Sequence, residues 1–280
     1  MKRFLLQLLL FLLLGLPGYW AAHGYIYRHW RRPLTQVMWE ALDRASRPQP
    51  YDRIILGDSV AYQLFNAANQ KHSRYFHMPT NAATTLMGHY ILLMEYARHN
   101  VLKEIVLLLH PYSLKDNLDR KYTANYVVGV FFRSPYRAYI TPYAEQQIKN
   151  CRWWFVPVWL RRFPELCLIN YQEVNPKPFW RDMYLSPLSL EYLQMLGRYC
   201  ESNQVALRIV APPLPEPQLQ VDYTFMQEQV ATHGLAPYFE GYFDFASMPA
   251  EEYVDELHPK TPFLTKARQL TGIRWELADP

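Results

Sequence analysis

The chain reads as an α/β protein, and three observations carry that reading. A short apolar run, Ile54-Ile55-Leu56, ends abruptly in Gly57-Asp58-Ser59. From Arg53 to Thr271, runs of strand length then alternate with segments of helical periodicity, the pattern of a mainly parallel sheet covered by helices. Ahead of this body lies a nearly continuous apolar stretch, Phe4 to Ala22. The expected architecture is a three-layer α/β/α sandwich, preceded by an N-terminal transmembrane helix and interrupted by a helical, aromatic-rich insertion.

The elements follow in order. Residues 1–24 are expected to form a signal anchor. Lys2-Arg3 make a basic head, and Phe4–Ala22 counts 19 residues, close to the ~20 that span a bilayer. Tyr19 and Trp20 suit a membrane interface but fit a signal-peptidase site badly. A cleaved leader and a cytoplasmic body remain the alternatives. Residues 25–51 form a polar linker in which Gln36–Ala45 suits a short helix. Arg53–Leu56 is the first strand, Val60–Gln70 a helix, Arg74–His77 a short strand and Asn81–Thr85 a turn of small residues. Gly88–Arg98 is a helix, and Glu104–Leu109 a strand ending at His110-Pro111.

From about Asp116 to Pro187 the alternation stops. Tyr, Trp, Phe, Arg and Pro dominate there, with Trp153-Trp154-Phe155 and Val158-Trp159-Leu160 at the centre. So long a stretch argues against a plain loop, and helical packing into a lid or cap is expected, stacking on sugar rings, resting on a membrane partner or packing on itself. Leu188–Asn203 resumes as a helix, Val205–Val210 as a strand and Val221–His233 as a helix. Tyr242–Phe245 reads as a last short strand and Pro262–Thr271 as a closing helix. The body is thus residues 52–280, with the insertion at about 116–187.

Composition narrows the function classes. At 280 residues, one elaborated domain is expected. The net charge of +4, with no dense basic tract beyond Arg28-His29-Trp30-Arg31-Arg32, gives no reason to expect a nucleic-acid partner. That cluster, following an apolar leader, suits a membrane-proximal position instead. The three cysteines, Cys151, Cys167 and Cys200, allow one bridge, with Cys151 and Cys167 the nearer pair, or three buried thiols. There is no glycine-rich phosphate loop, and His72 and His77 lack a neighbouring carboxylate cluster. Neither a cofactor nor a metal is expected.

The chemistry is concentrated in two short motifs. A strand ending in Gly57-Asp58-Ser59 presents a hydroxyl at the carboxyl edge of the sheet, where ligands of open α/β folds bind. Serine needs a base, and the base needs a group to orient it. Asp255-Glu256-Leu257-His258 supplies both from one turn, the carboxylate steering the imidazole. Each motif has a bland reading, the first as a turn with a helix cap and the second as a capped helix start. Their pairing at two predicted strand ends of one chain favours catalysis. Asp58 reads as a structural residue bonding its own turn.

Together these motifs resemble the SGNH/GDSL hydrolase superfamily over about Asp52 to Gly272, with Val60 where the superfamily pattern has leucine. The resemblance implies a flavodoxin-like sheet, Ser59 as nucleophile, His258 as general base, Asp255 as its partner and the Ser59 N–H as an oxyanion donor. The superfamily's second and third blocks contribute a glycine N–H and an asparagine side chain to the oxyanion hole. Here Asn81-Ala82-Ala83-Thr84-Thr85 and His110-Pro111-Tyr112-Ser113-Leu114 stand in their places, so Gly88 and Asn117 are the nearest candidates.

With an anchor, the layout is similar to membrane-anchored SGNH-like proteins of cell-envelope O-acylation. That likeness implies a domain on the periplasmic side of the cytoplasmic membrane, a multi-span membrane-bound O-acyltransferase as partner and a glycan or polymer hydroxyl as acceptor. The alternatives are an anchored esterase or deacetylase, and a non-catalytic accessory protein of the same fold.

Overall fold

A computed structural model describes residues 2–26, 32–80, 84–118, 127, 129–132, 134–150 and 183–276. The chain divides into two compact units, Met1–Val37 and Met38–Pro280. In the first, helix α1 covers Lys2–Ile26 with Pro17 inside it. Those of its apolar side chains that are described, such as Phe4, Leu9, Phe11, Leu13 and Leu16, are exposed. Among the described residues no helix is long and apolar enough to cross a membrane. The structure therefore lends no support to the transmembrane helix expected there, which rests on the sequence alone.

The second unit is built on a four-stranded parallel sheet of β1 (Arg53–Gly57), β2 (Phe76–His77), β3 (Glu104–Leu108) and β4 (Ala206–Val210). Their order is β2-β1-β3-β4. In register, Ile54 faces Ile105 and Gly57 faces Leu108, while Ile105 faces Leu207. Side chains alternate across a strand, so the run Ile54-Ile55-Leu56 feeds two cores at once. Ile54, Leu56, Ile105 and Leu107 pack on one face with α2 (Arg32–Ala45), α4 (Thr85–Ala97) and α6 (Pro187–Asn203). Ile55, Val106 and Leu108 pack on the other with α3 (Ser59–Leu64) and α7 (Leu264–Leu270). Burial on both faces is why β1 and β3 read as continuous apolar runs, and it makes the three layers. A two-stranded parallel ribbon, β5 (Leu214–Pro215) with β6 (Ser247–Met248), stands apart from the sheet.

The order β2-β1-β3 makes the chain leave β1 toward one side and return to the other. A crevice therefore opens at the carboxyl ends of β1 and β3, the position at which such sheets bind ligands. The expected α/β class and parallel sheet are observed. In the second half of α2, Met38, Ala41, Leu42 and Ala45 are buried in the core at the i, i+3, i+4, i+7 spacing of one helical face.

Three expected elements differ. The helix over Val60–Gln70 stops at Leu64, because Phe65 leaves helical geometry at φ −130°, ψ 55°. Asn66 then starts a separate 3₁₀ turn, Ala67–His72, its carboxamide accepting from the Ala68 N–H at 3.0 Å. Asparagine bonds its own backbone more readily than it continues a helix. The last strand lies at Ser247–Met248 and not at Tyr242–Phe245. There Gly241 turns the chain at φ +70°, and Phe239, Tyr242, Phe243 and Phe245 pack on one another, mostly edge to face, instead of entering a ladder. Helix α4 begins at Thr85, ahead of the expected Gly88.

Among the described residues of the insertion, helical geometry is found at Gly129–Phe131, in a 3₁₀ turn at Ser134–Tyr139 and in α5 at Pro142–Asn150, whereas 116–118 and 183–186 are not helical. Its two ends are clasped, since the Ser186 hydroxyl donates to the Asp116 carbonyl at 2.6 Å and the Ser186 N–H to the Leu114 carbonyl at 3.0 Å. Trp153, Trp154, Phe155, Trp159, Cys151 and Cys167 lie outside the described residues, as do Asn81, Ala82 and Ala83. Cys200 is a free, buried thiol, and burial raises its pKa to about 12. Such a thiol is a core residue and not a nucleophile.

Candidate active site

The crevice begins with a tight exit from β1. A Cβ at Gly57 would stand 2.1 Å from the Leu108 carbonyl and 2.5 Å from the Ala61 methyl. Only glycine lets β1 and α3 approach β3 this closely. Asp58 then caps α3, its Oδ1 accepting from the N–H groups of Val60 at 3.0 Å and Ala61 at 3.3 Å. The same carboxylate reaches across to the exit of β3, where Oδ2 accepts from the His110 N–H at 2.8 Å and the Ser113 hydroxyl at 2.6 Å. Asp58 is 1% exposed, so each of these bonds to a buried charge counts for ~1.5–3 kcal/mol. Ser59 follows as the first helical residue, half-buried at the carboxyl edge of the sheet.

His258 arrives from the opposite end of the chain. The segment Tyr253–Pro259 folds back on itself: the Val254 N–H donates to the His258 carbonyl at 2.8 Å, and Tyr253 bridges Pro259. Inside the turn, Asp255 Oδ1 accepts the N–H groups of Leu257 at 2.8 Å and His258 at 2.7 Å. Its carboxylate also meets His258 Nδ1, at 2.8 Å from Oδ2 and 3.0 Å from Oδ1. Partial burial pushes the Asp255 carboxyl upward. The hydrogen bonds from the His258 ring and the two N–H groups outweigh that and hold it below the ordinary carboxylate range. An ionised carboxylate only accepts, so Nδ1 carries a ring proton, and in the neutral imidazole Nε2 then presents a lone pair. Nε2 lies 2.9 Å from Ser59 Oγ. Ser59, His258 and Asp255 are thus brought into one hydrogen-bonded line from positions 199 residues apart at its widest.

Gly88 and Asn117 sit elsewhere. Gly88 is inside α4, against Thr84 and the Phe131 ring. The Asn117 carboxamide oxygen accepts from the Tyr143 hydroxyl at 3.0 Å and the Leu188 N–H at 3.2 Å, tying the neck of the insertion together. No described hydrogen bond brings either to Ser59. The Asp58 cap takes the donors of Val60 and Ala61, and leaves the Ser59 N–H uncapped at the first helical position.

Reading the sequence missed His110, Ser113 and Gln218. His110 Nδ1 accepts from the Tyr112 N–H at 3.1 Å, so its proton sits on Nε2, which donates to Gln218 Oε1 at 3.0 Å. The Gln218 amide donates in turn to the Glu256 carbonyl. Burial holds the His110 imidazole down at about 4, against the pull of Asp58 and Gln218 and with that of His258. His110 follows the apolar run of β3 directly, a polar strand end that could have flagged it. Nothing in Glu216–Gln220 singles out Gln218. The Thr80 N–H donates to the Gly57 carbonyl at 2.8 Å. Thr85 takes φ 57°, unusual for a β-branched residue. Its Oγ1 and His89 Nδ1, one helical turn on, are buried without a hydrogen-bond partner among the described residues.

No protein-family model matches the chain, and no curated protein matches it either. A solved structure from Streptococcus pneumonia, provisionally named a platelet activating factor, aligns over 89% of this chain and 97% of that chain. The identity is 10% and the TM-score 0.34, a likeness too low to argue from.

Proposed function

We propose that this chain is an SGNH-type serine acyl-transfer protein of the cell envelope, with Ser59 as nucleophile, His258 as general base and Asp255 as the residue that orients it. The observation that carries the reading is the unbroken line from Ser59 Oγ through the His258 ring to Asp255, with spacings of 2.9 and 2.8 Å. Both lie within the range for proton transfer. As Ser59 Oγ bonds to an acyl carbonyl carbon, its proton passes to His258 Nε2 and Asp255 steadies the imidazolium. The tetrahedral oxyanion forms beside the Ser59 N–H. Collapse breaks the bond to the leaving alcohol, which takes the proton from His258 and leaves an acyl-serine. His258 then deprotonates the incoming hydroxyl, whose oxygen bonds to the acyl carbon; the acyl–Oγ bond breaks, and Ser59 Oγ takes the proton back from His258.

The acceptor decides the activity. A glycan or polymer hydroxyl makes this an envelope O-acyltransferase, and water makes it an esterase or deacetylase. Exposure of the Asp255 side chain, at 54%, keeps water close to the base and favours hydrolysis as the second reading. The basic head and apolar run of the leader support an exported, anchored position, where a multi-span membrane-bound O-acyltransferase would hand over the acyl group.

The test is turnover of 4-nitrophenyl acetate, with mass spectrometry for an acetyl group on Ser59. Ser59→Ala should lose at least ~10³-fold in kcat with no adduct. Undiminished turnover by that variant would rule the reading out. In envelope glycans from a deletion strain, lost acyl groups indicate transfer and excess acylation indicates an esterase.

A further inference from the structure

Two hydrogen-bonded branches leave the exit of β3 at His110. The backbone N–H of His110 bonds Asp58 at 2.8 Å, and Asp58 caps the helix that begins with Ser59. The ring of the same residue bonds Gln218, whose amide bonds the carbonyl of Glu256, the residue after Asp255. One strand end is therefore joined to both halves of the site, toward the serine through a carboxylate and toward the base through a glutamine.

We propose that Gln218 is a positioning residue: its side-chain amide, locked between the His110 ring and the Glu256 carbonyl, sets the Asp255–His258 turn at the height at which Nε2 meets Ser59. This rests on the acyl-transfer reading above. The polar atoms admit only one arrangement. Tyr112 donates to Nδ1, so Nε2 of His110 must donate, Oε1 of Gln218 must accept and its NH₂ must face Glu256. Gln218 is 6% exposed and His110 2%, so neither bond is readily replaced by water. The turn has other supports: Leu257 packs against the core, and hydrogen bonds hold its flanks. Gln63 donates to the Pro259 carbonyl at 2.9 Å, the Lys260 N–H to the Glu252 carbonyl at 2.7 Å and the Tyr253 hydroxyl to the Pro213 carbonyl at 2.9 Å. All three act at the ends of the turn. Of the four hydrogen bonds named, that from Gln218 is the one that meets the turn between Asp255 and His258.

The experiment uses the full chain and compares Gln218→Met, of similar length but without polar atoms, with wild type. It reads kcat and KM for 4-nitrophenyl acetate, the rate at which a fluorophosphonate labels Ser59, and the thermal midpoint. Loosening the base by about 1 Å should lower kcat and the labelling rate together by roughly 10–100-fold and leave KM within about twofold. A packing role alone would lower the midpoint and leave kcat of the folded protein unchanged. Where Gln218→Met does not fold, His110→Phe decides. It keeps the backbone bond to Asp58, removes the ring's bond to Gln218 and should lower kcat about 3–10-fold. A folded variant of either kind with wild-type kcat and labelling overturns the inference. The underlying reading fails separately, if Ser59→Ala turns over and labels like wild type.

Discussion

Asp58 and Asp255 are both acidic residues one step from the proposed reacting groups, and they are held in opposite ways. Asp58 is 1% exposed and bonds two helix N–H groups, a strand-end N–H and a serine hydroxyl. The Asp255 side chain is 54% exposed, and every hydrogen bond described for it stays within its own four-residue turn. The serine is thus placed by the core of the sheet, whereas the base is placed by a surface turn that folds on itself and leans on Gln218. A nucleophile built this way is tied to global stability. A base built this way is free to shift with little cost to the fold.

Breaking the surface side should produce the largest effect, and on activity alone. Asp255→Asn removes the charge that sets the His258 tautomer, and kcat should fall by about 10³-fold or more. The thermal midpoint should stay within a few degrees, because an exposed carboxylate adds little to stability. A large loss of stability in Asp255→Asn would erase the contrast drawn between the two aspartates.

The buried side should break differently. Asp58→Ala leaves the His110 N–H, the Ser113 hydroxyl and two helix donors without their acceptor, and should cost about 3–5 kcal/mol in denaturant unfolding. A loss below about 1 kcal/mol would mean that the core does not rely on this carboxylate.

The smallest effect per residue concerns acid. Burial holds His77, His89 and His110 each at about 4, below the ordinary 6.5. Between those values the unfolded chain takes up protons that the folded chain refuses, so stability falls as pH drops from about 6.5 toward about 4. Each histidine adds at most about 1.4 kcal/mol per pH unit. Urea unfolding at pH 7 and pH 5 reads the sum, and a His77→Gln variant should show a shallower slope. A flat profile across that range would show that these rings do not stay neutral.

Much of this architecture is legible in the chain because its causes are local. Ile54-Ile55-Leu56 and Glu104–Leu109 announce buried strands, and Gly57-Asp58-Ser59 announces where the first one ends. The failures have local causes too. Asn66 ends a helix whose apolar spacing runs on, and Gly241 turns an aromatic run that otherwise reads as a strand. Gly88 and Asn117 illustrate a different limit, since proximity in sequence to an expected block says nothing about which way a side chain is engaged. Asn117 serves the neck of the insertion, and Gly88 makes room for Phe131.

By itself the sequence determined the α/β class, the serine at the end of β1 and the aspartate–histidine turn, because strand burial, capping and a four-residue turn each act over a few residues. Only the tertiary structure decided that His258 Nε2 stands 2.9 Å from Ser59, that Asp58 reaches the exit of β3, and that His110 and Gln218 join the two halves. Those relations run between residues 38 to 199 positions apart. They depend on strand order and register, which the packing of the whole sheet settles and no local pattern encodes.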